Sequence, residues 1–364
     1  MEPWAPQWIT EYDRNRDLSQ KPFRAACYAP FVSLEFGPRG DVRVCSLRRG
    51  AGVGDIRYQT IQQVWNGFKM DQLRTYLKHY DLSSGCDRCR WYIDQGSSDI
   101  PAKRSYDWIP IPSGSLMPRR FTFRLANTCK VRSVLCAPYS CSVLSEDAGE
   151  KPDPRNPYGE SFFQELRELL PNTLQCDFQG GDAFLIEPHY RIWDLLISQR
   201  YEASISAFTY GTHLDKRVQS YLSALNFSDL VVPFFSLDKT RFETLCQGAR
   251  MEEVTATLRL FAEYAQERPN SRKLYLQFPI TRNTWSEFAG MLEFAEPLNA
   301  QLETYVVRTP GSLCALDLPA ADRMEMLQVL AKDLERLEGR VRPSNLSRLK
   351  EFIQLLEHSA KKVG

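Results

Sequence analysis

The chain has 364 residues, 43% apolar and 25% charged, enough to bury one large core or two domains and too apolar to remain disordered. Forty-six basic against forty-five acidic side chains leave a net charge of +1, so no global field draws it to nucleic acid or to an anionic membrane. No apolar run approaches a bilayer span, and MEPWAPQWITEYDRNRD lacks the basic start and apolar core of a leader, so the expected compartment is the cytoplasm. Ten cysteines in a reducing compartment point to metal ligands plus buried thiols, not to disulfides.

In chain order, Cys27 precedes FVSLEF, a Gly37-Pro38-Arg39-Gly40 turn, and DVRV ending at Cys45. This pattern predicts a hairpin with a thiol at either outer end, both on one side. The segment IQQVWNGFKMDQLRTYLKHY sets Ile61, Val64, Trp65, Phe68, Leu73 and Leu77 close to helical spacing and leads to Cys86-Asp87-Arg88-Cys89. A Cys-x2-Cys pair lets two thiolates face one metal without backbone strain, and Cys27 and Cys45 complete a four-thiolate set for a structural zinc or an iron–sulfur cluster. Gly50-Ala51-Gly52-Val53-Gly54 follows a cysteine instead of an apolar strand, so it predicts a flexible loop and not a nucleotide cradle.

These residues resemble the auxiliary-cluster module called twitch, the shortened relative of the SPASM domain. Its opening cysteine followed by Gly-x4-Cys is met by Cys27, Gly40 and Cys45, its I-x-x-V-W-N helix by Ile61, Val64, Trp65 and Asn66, and its closing pair by Cys86 and Cys89. The resemblance implies a four-iron four-sulfur cluster on those four thiolates.

Residues 97–120 are rich in Ser and Pro and are expected to link residues 1–96 to the α/β region that begins at Phe121. From Phe121 the sequence alternates strand and helix through FTFRLA, LQCDF, ASISAF, DLVVPFF, KLYLQFPI and QLETYVV. The expected fold is α/β, a partial (β/α)6 barrel over 121–310, preceded by the cysteine-rich module and closed by a helical hairpin over 311–364 with Leu327, Leu330, Leu334 and Leu337 facing Leu346, Leu349, Ile353 and Leu356. The polar, proline-bearing stretch from Ser142 to Glu160 is expected to be a poorly ordered lid. The histidines His79, His189, His213 and His358 show no metal spacing.

The strand and loop FTFRLANTCKVRSVLC resemble the first strand and cluster loop of the radical S-adenosylmethionine (SAM) superfamily, whose signature is Cys-x3-Cys-x2-Cys. Cys129 and Cys136 take the outer positions and Ser133 the middle one. The resemblance implies that Gly180, Gly181 and Asp182 stand where that family's Gly-Gly-Glu-Pro lets backbone and carboxylate approach SAM, with Ala183 in place of the proline. Thr209 lies in its third-strand ending, where Tyr210 replaces an asparagine, and Ser236 belongs to its fourth-strand Ser-Leu-Asp, facing the SAM carboxylate. The structural alternative makes Asp182 a helix cap and Ser236 a turn residue. Cys141, Cys176, Cys246 and Cys314 are expected to be buried apolar thiols. A triad of Cys129, Cys136 and Cys141 would be spaced x6 and x4, and Cys141 is expected to turn away with the following helix.

Two functions are implied by the resemblance. One is reductive SAM cleavage and hydrogen abstraction from a peptide or small natural-product substrate, assisted by the auxiliary cluster and fed by a donor such as flavodoxin or ferredoxin. The other is a pseudoenzyme, its second four-iron cluster lost through Ser133, that binds SAM, a substrate or a partner. Ser133 is also the residue that an inactivating replacement would leave. A serine oxygen is a harder ligand than thiolate, so the sequence predicts about four irons per chain, all in the N-terminal module, and about eight once Ser133→Cys is made.

Overall fold

The computed structural model describes residues 6–94, 100–111, 116–136, 141–149, 157–268 and 271–361. They divide into two compact units, the first drawn from 1–126, 152–180 and 186–205, the second from 127–151, 181–185 and 206–364.

In the first unit, strands β1 (Ser33–Phe36) and β2 (Asp41–Arg43) form the expected hairpin, with Glu35 opposite Arg43. Gly40 turns it at φ +85°, a left-handed conformation that strains any side chain. Strand β3 (Gly54–Asp55) extends β2. On its other edge β1 runs parallel to β4 (Arg120–Phe123) in the register Phe36 to Phe123. After a short strand β5 (Arg132–Ser133) that belongs to the second unit, β6 (Gln175–Phe178) runs parallel to β4. The order in this unit is β6-β4-β1-β2-β3. Alternation along the strands turns Phe36, Phe121, Phe123 and Phe178 inward, all fully buried, and Phe123 packs 5.9 Å from Phe36 and 5.2 Å from Phe178 between ring centroids. Each such ring stabilises the fold by roughly 1.5–3 kcal/mol. The helix Ile61–Trp65 begins in a capping box, Gln63 N–H donating to Thr60 Oγ1 at 3.0 Å and Thr60 N–H to Gln63 Oε1 at 2.9 Å.

The second unit carries β7 (Ser204–Phe208), inside which the chain passes from the first unit, then β8 (Phe227–Pro233), β9 (Cys246–Gln247), β10 (Lys273–Ile280) and β11 (Gln301–Val306). The sheet order is β7-β8-β10-β11, with β10 parallel to both neighbours, and helices separate the strands in sequence. Asp215 and Asp238 open two of these helices by accepting the backbone N–H three residues on, at 2.9 and 2.7 Å. β5 pairs with β9 antiparallel, Ser133 opposite Cys246. The helices Ala320–Leu337 and Pro343–Lys361 form the expected closing hairpin, with Leu330, Leu337, Leu346, Leu349 and Leu356 buried. Asn345 fastens it to β11, accepting from Leu302 N–H at 2.8 Å and donating to Ala300 O at 3.1 Å.

The α/β expectation is met, and all six strands expected from Phe121 onward are present. The expected boundaries at 96 and 120 are not those of the compact units, because β4 pairs with β1 of the hairpin that follows Cys27 and carries β6 on its other edge. The expected linker is packed where it is described: Pro101–Tyr106 is helical and Ile100, Ile109 and Ile111 are buried. Its residues 97–99 and 112–115 lie outside the described set. The expected lid is also anchored, since Ser142–Asp147 is a helix and buried Tyr158 donates to the Gly37 carbonyl. Residues 150–156 of that lid lie outside the described set.

Candidate metal centres

Cys27, Cys45, Cys86 and Cys89 line one cavity in the first unit, with Leu73, Leu77, Leu82 and Ile100 completing an apolar wall. The β1–β2 hairpin and the helix Asp87–Asp94 deliver the two pairs, as the sequence predicts. Among the described residues no three His, Cys, Asp or Glu side chains converge on the point one metal ion would occupy. A tetrahedral zinc needs its sulfurs about 2.3 Å from such a point. Thiols standing around a space suit a cluster that brings its own bridging sulfides.

The backbone is arranged for thiolates here. Ala29 N–H points at Cys27 Sγ and Leu47 N–H at Cys45 Sγ, each at 3.4 Å, and Ala102 N–H bonds Cys89. The Tyr106 hydroxyl bonds the Cys45 sulfur and lies 3.4 Å from the Val44 carbonyl. Burial raises all four thiols, Cys86 and Cys89 to about 12; neighbouring thiols add to the shift at Cys27, Cys86 and Cys89, and Glu35 adds to it at Cys45. A cluster therefore has to displace protons to bind, and the N–H donors lower that cost. Ala102 and Tyr106 were invisible in the sequence because they lie in the stretch that reads as linker. Their only signal there is Pro101 followed by helix-forming residues.

A second group of thiols lies in the second unit. Asn127 accepts Ser142 N–H at 2.7 Å through its carbonyl, Cys129 N–H donates to Ser142 Oγ at 3.1 Å, and Ser142 Oγ donates back to Cys129 O at 3.4 Å. These bonds hold Ser142, and with it Cys141, against Cys129. Cys141 is thus fully buried against the loop, its Sγ 3.4 Å from the Val131 carbonyl oxygen, the same distance as Cys129 Sγ from that oxygen. The expectation that Cys141 turns away is overturned by this closure. Cys136 Sγ lies 3.3 Å from Tyr210 Oη. Ser133 is buried in β5, where its Oγ accepts Leu135 N–H at 3.2 Å and bonds the Cys136 sulfur. Burial raises Cys129 to about 12, with Cys141, Asp182 and Cys136 adding to the shift, and burial likewise raises Cys136.

Gly180 and Gly181 adopt φ +90° and +45°, and each lies against backbone: a Cβ on Gly180 would meet Ala126 O at 2.5 Å, and one on Gly181 would meet Thr128 O at 2.0 Å. Asp182, beyond them, is fully buried. Its Oδ1 accepts Phe184 N–H at 3.1 Å, and its Oδ2 accepts Thr209 Oγ1–H and Tyr210 N–H, both at 2.9 Å. Burial raises its carboxyl above the ordinary range. Ser236, also fully buried, donates to Glu287, which further accepts Leu237 N–H and pairs with Arg241. The side chains of Asp182, Thr209 and Ser236 are thus spent on one another and on Glu287, which carries no signal in the sequence because it lies in a helix far downstream. Cys176, Cys246 and Cys314 are buried as expected. Among the described residues no helix is long and apolar enough to cross a membrane.

Residues 27–90 match the family model of SPASM, an iron–sulfur cluster-binding domain. No curated protein matches the chain. Among solved structures, Streptococcus suis SuiB is 13% identical over 62% of this chain and 47% of its own, with a TM-score of 0.41. The same protein bound to precursor peptide SuiA is 13% identical over 70% and 60%, with a TM-score of 0.43. Native anSMEcpe with bound AdoMet is 15% identical over 61% and 62%, with a TM-score of 0.44. The chain therefore spans about half to two thirds of the solved chains it matches.

Proposed function

We propose that this chain, whose residues 27–90 are a SPASM iron–sulfur domain, is a radical SAM-type protein that modifies a peptide or a small natural product. The observation that carries the reading is the cavity lined by Cys27, Cys45, Cys86 and Cys89 with N–H and O–H donors aimed at its sulfurs, together with a second loop of thiols in the other unit. Held by the thiolates of that loop, a core cluster would supply the electron for reductive cleavage of SAM to methionine and a 5′-deoxyadenosyl radical able to take hydrogen from a substrate. The chain's own residues hold the thiolates, exclude water from them and set their potential through hydrogen bonds. Flavodoxin or ferredoxin is the class of donor such chemistry needs.

One observation favours the non-catalytic alternative: Asp182, Thr209 and Ser236 have their polar atoms engaged inside the protein. SAM would then be met by backbone and by groups not yet identified, or not at all. Anaerobically reconstituted protein given SAM and dithionite separates the two. Release of 5′-deoxyadenosine and methionine in equal amounts is expected. Full iron loading with neither product, whether or not SAM binds in titration calorimetry, would establish the pseudoenzyme.

A further inference from the structure

We infer that Cys141 is the third thiolate of the core site, so that Cys129, Cys136 and Cys141, spaced x6 and x4, form an iron–sulfur ligand set in which Ser133 is not a ligand. This rests on the radical SAM-type reading above and names the residues it requires. Three observations carry it. The Ser142 bonds to Asn127 and Cys129 hold Cys141 against Cys129, so that both sulfurs lie 3.4 Å from the same oxygen, Val131 O. Cys136 is held on the same loop by its N–H bond to Ser133 O at 3.1 Å, and its sulfur is capped by Tyr210 Oη at 3.3 Å. Ser133 is occupied otherwise, its oxygen accepting Leu135 N–H and bonding Cys136 while its backbone pairs with β9 opposite Cys246.

The chemistry agrees with the geometry. Thiolates are soft donors that iron prefers, and a serine oxygen is not. With three thiolates a four-iron cluster keeps one iron free for an outside ligand, whereas two leave the cluster underligated. The hydroxyls of Ser133 and Tyr210 fit as hydrogen-bond donors to the Cys136 sulfur, the supporting role that orients a ligand and tunes its potential. What looks in sequence like a broken signature is, in the folded loop, the same number of sulfurs supplied from a different place.

The test is iron and acid-labile sulfide content of the full-length protein after anaerobic reconstitution, with electron paramagnetic resonance of the reduced samples. The unaltered chain is expected to carry about eight irons, and Cys141→Ala about four, because each cluster holds four. Ser133→Ala should keep about eight. Cys141→Ser, which preserves volume, and Cys176→Ala, which removes a buried thiol of β6 in the first unit, control for misfolding by circular dichroism. The first should lose the same four irons with an unchanged spectrum, and the second should lose none. About eight irons in both Cys141 variants together with about four in Ser133→Ala would overturn the assignment in favour of the serine while leaving the radical SAM-type reading intact. About four irons in the unaltered chain, all lost on Cys45→Ala, would overturn the core cluster and that reading with it.

Discussion

Tyr106 and Asp182 are buried polar side chains with opposite relations to charge. Tyr106 hydrogen-bonds the Cys45 sulfur, and donors to a cluster sulfur favour the more reduced, more negative state. Tyr106→Phe is therefore expected to lower the reduction potential of the N-terminal cluster at unchanged iron content, read by potentiometric titration. An unmoved potential would leave the tyrosine with a packing role alone. Asp182 gathers three donors from two turns, and removing it strands two backbone N–H groups and a hydroxyl. Asp182→Ala should cost about 2–4 kcal/mol, less than the sum of three unsatisfied groups because a desolvated carboxyl is removed too. Denaturant midpoints followed in the second unit measure this, and equal midpoints would refute the clamp. At this scale the sequence was legible in that the four auxiliary cysteines, grouped there by a predicted hairpin, a Cys-x2-Cys pair and a resemblance, line one cavity. It was not legible for Asp182, whose partners come from β7's far end and depend on the fold being complete.

Among elements, the six strands from Phe121 onward were readable because apolar runs bounded by Gly, Pro, Asn and Asp carry their own periodicity. The placing of Cys141 beside Cys129 was not, because it is set by Ser142, a residue with no sequence signature, bonding back to Asn127 and Cys129. Ser142→Ala removes the side-chain half of that closure and is expected to halve core-cluster retention, or worse, during gel filtration while leaving the N-terminal cluster in place. The C-terminal hairpin was legible as two amphipathic helices, but not its fastening. Asn345 meets both a donor and an acceptor of the backbone around β11 and reaches Glu296 at 2.9 Å. Asn345→Leu should destabilise the second unit by about 2–3 kcal/mol, since it leaves Leu302 N–H and Ala300 O buried without this partner. Hydrogen exchange at Leu302 and its neighbours reports the loss.

Over the whole molecule, the division into units follows strand pairing and not the order of the sequence, so the limits of the compact units differ from the expected 96 and 120. The aromatic core of Phe36, Phe121, Phe123 and Phe178 in the first unit is built without metal ligands, whereas Cys27, Cys45, Cys86 and Cys89 surround a cavity that a cluster would fill. Chelation of iron should therefore raise amide exchange in the segments around Cys27, Cys45, Cys86 and Cys89 while leaving β1, β4 and β6 protected. Uniform loss of protection throughout the first unit would show that the cluster and the aromatic core melt together.

The pairing of β1 with β4 also bears on how the protein is made. Residue 36 leaves the ribosome well before residue 120, and at about 5–20 residues per second the gap is on the order of ten seconds. For that interval the nascent hairpin presents β1 as an open edge, bearing Leu34 and Phe36, accompanied first by the unligated thiols of Cys27 and Cys45 and later by those of Cys86 and Cys89. An exposed apolar edge of this kind recruits other strands. A cell making this chain therefore has reason to shield it with a chaperone, or to hold back iron delivery, until Arg120–Phe123 arrives to close the edge.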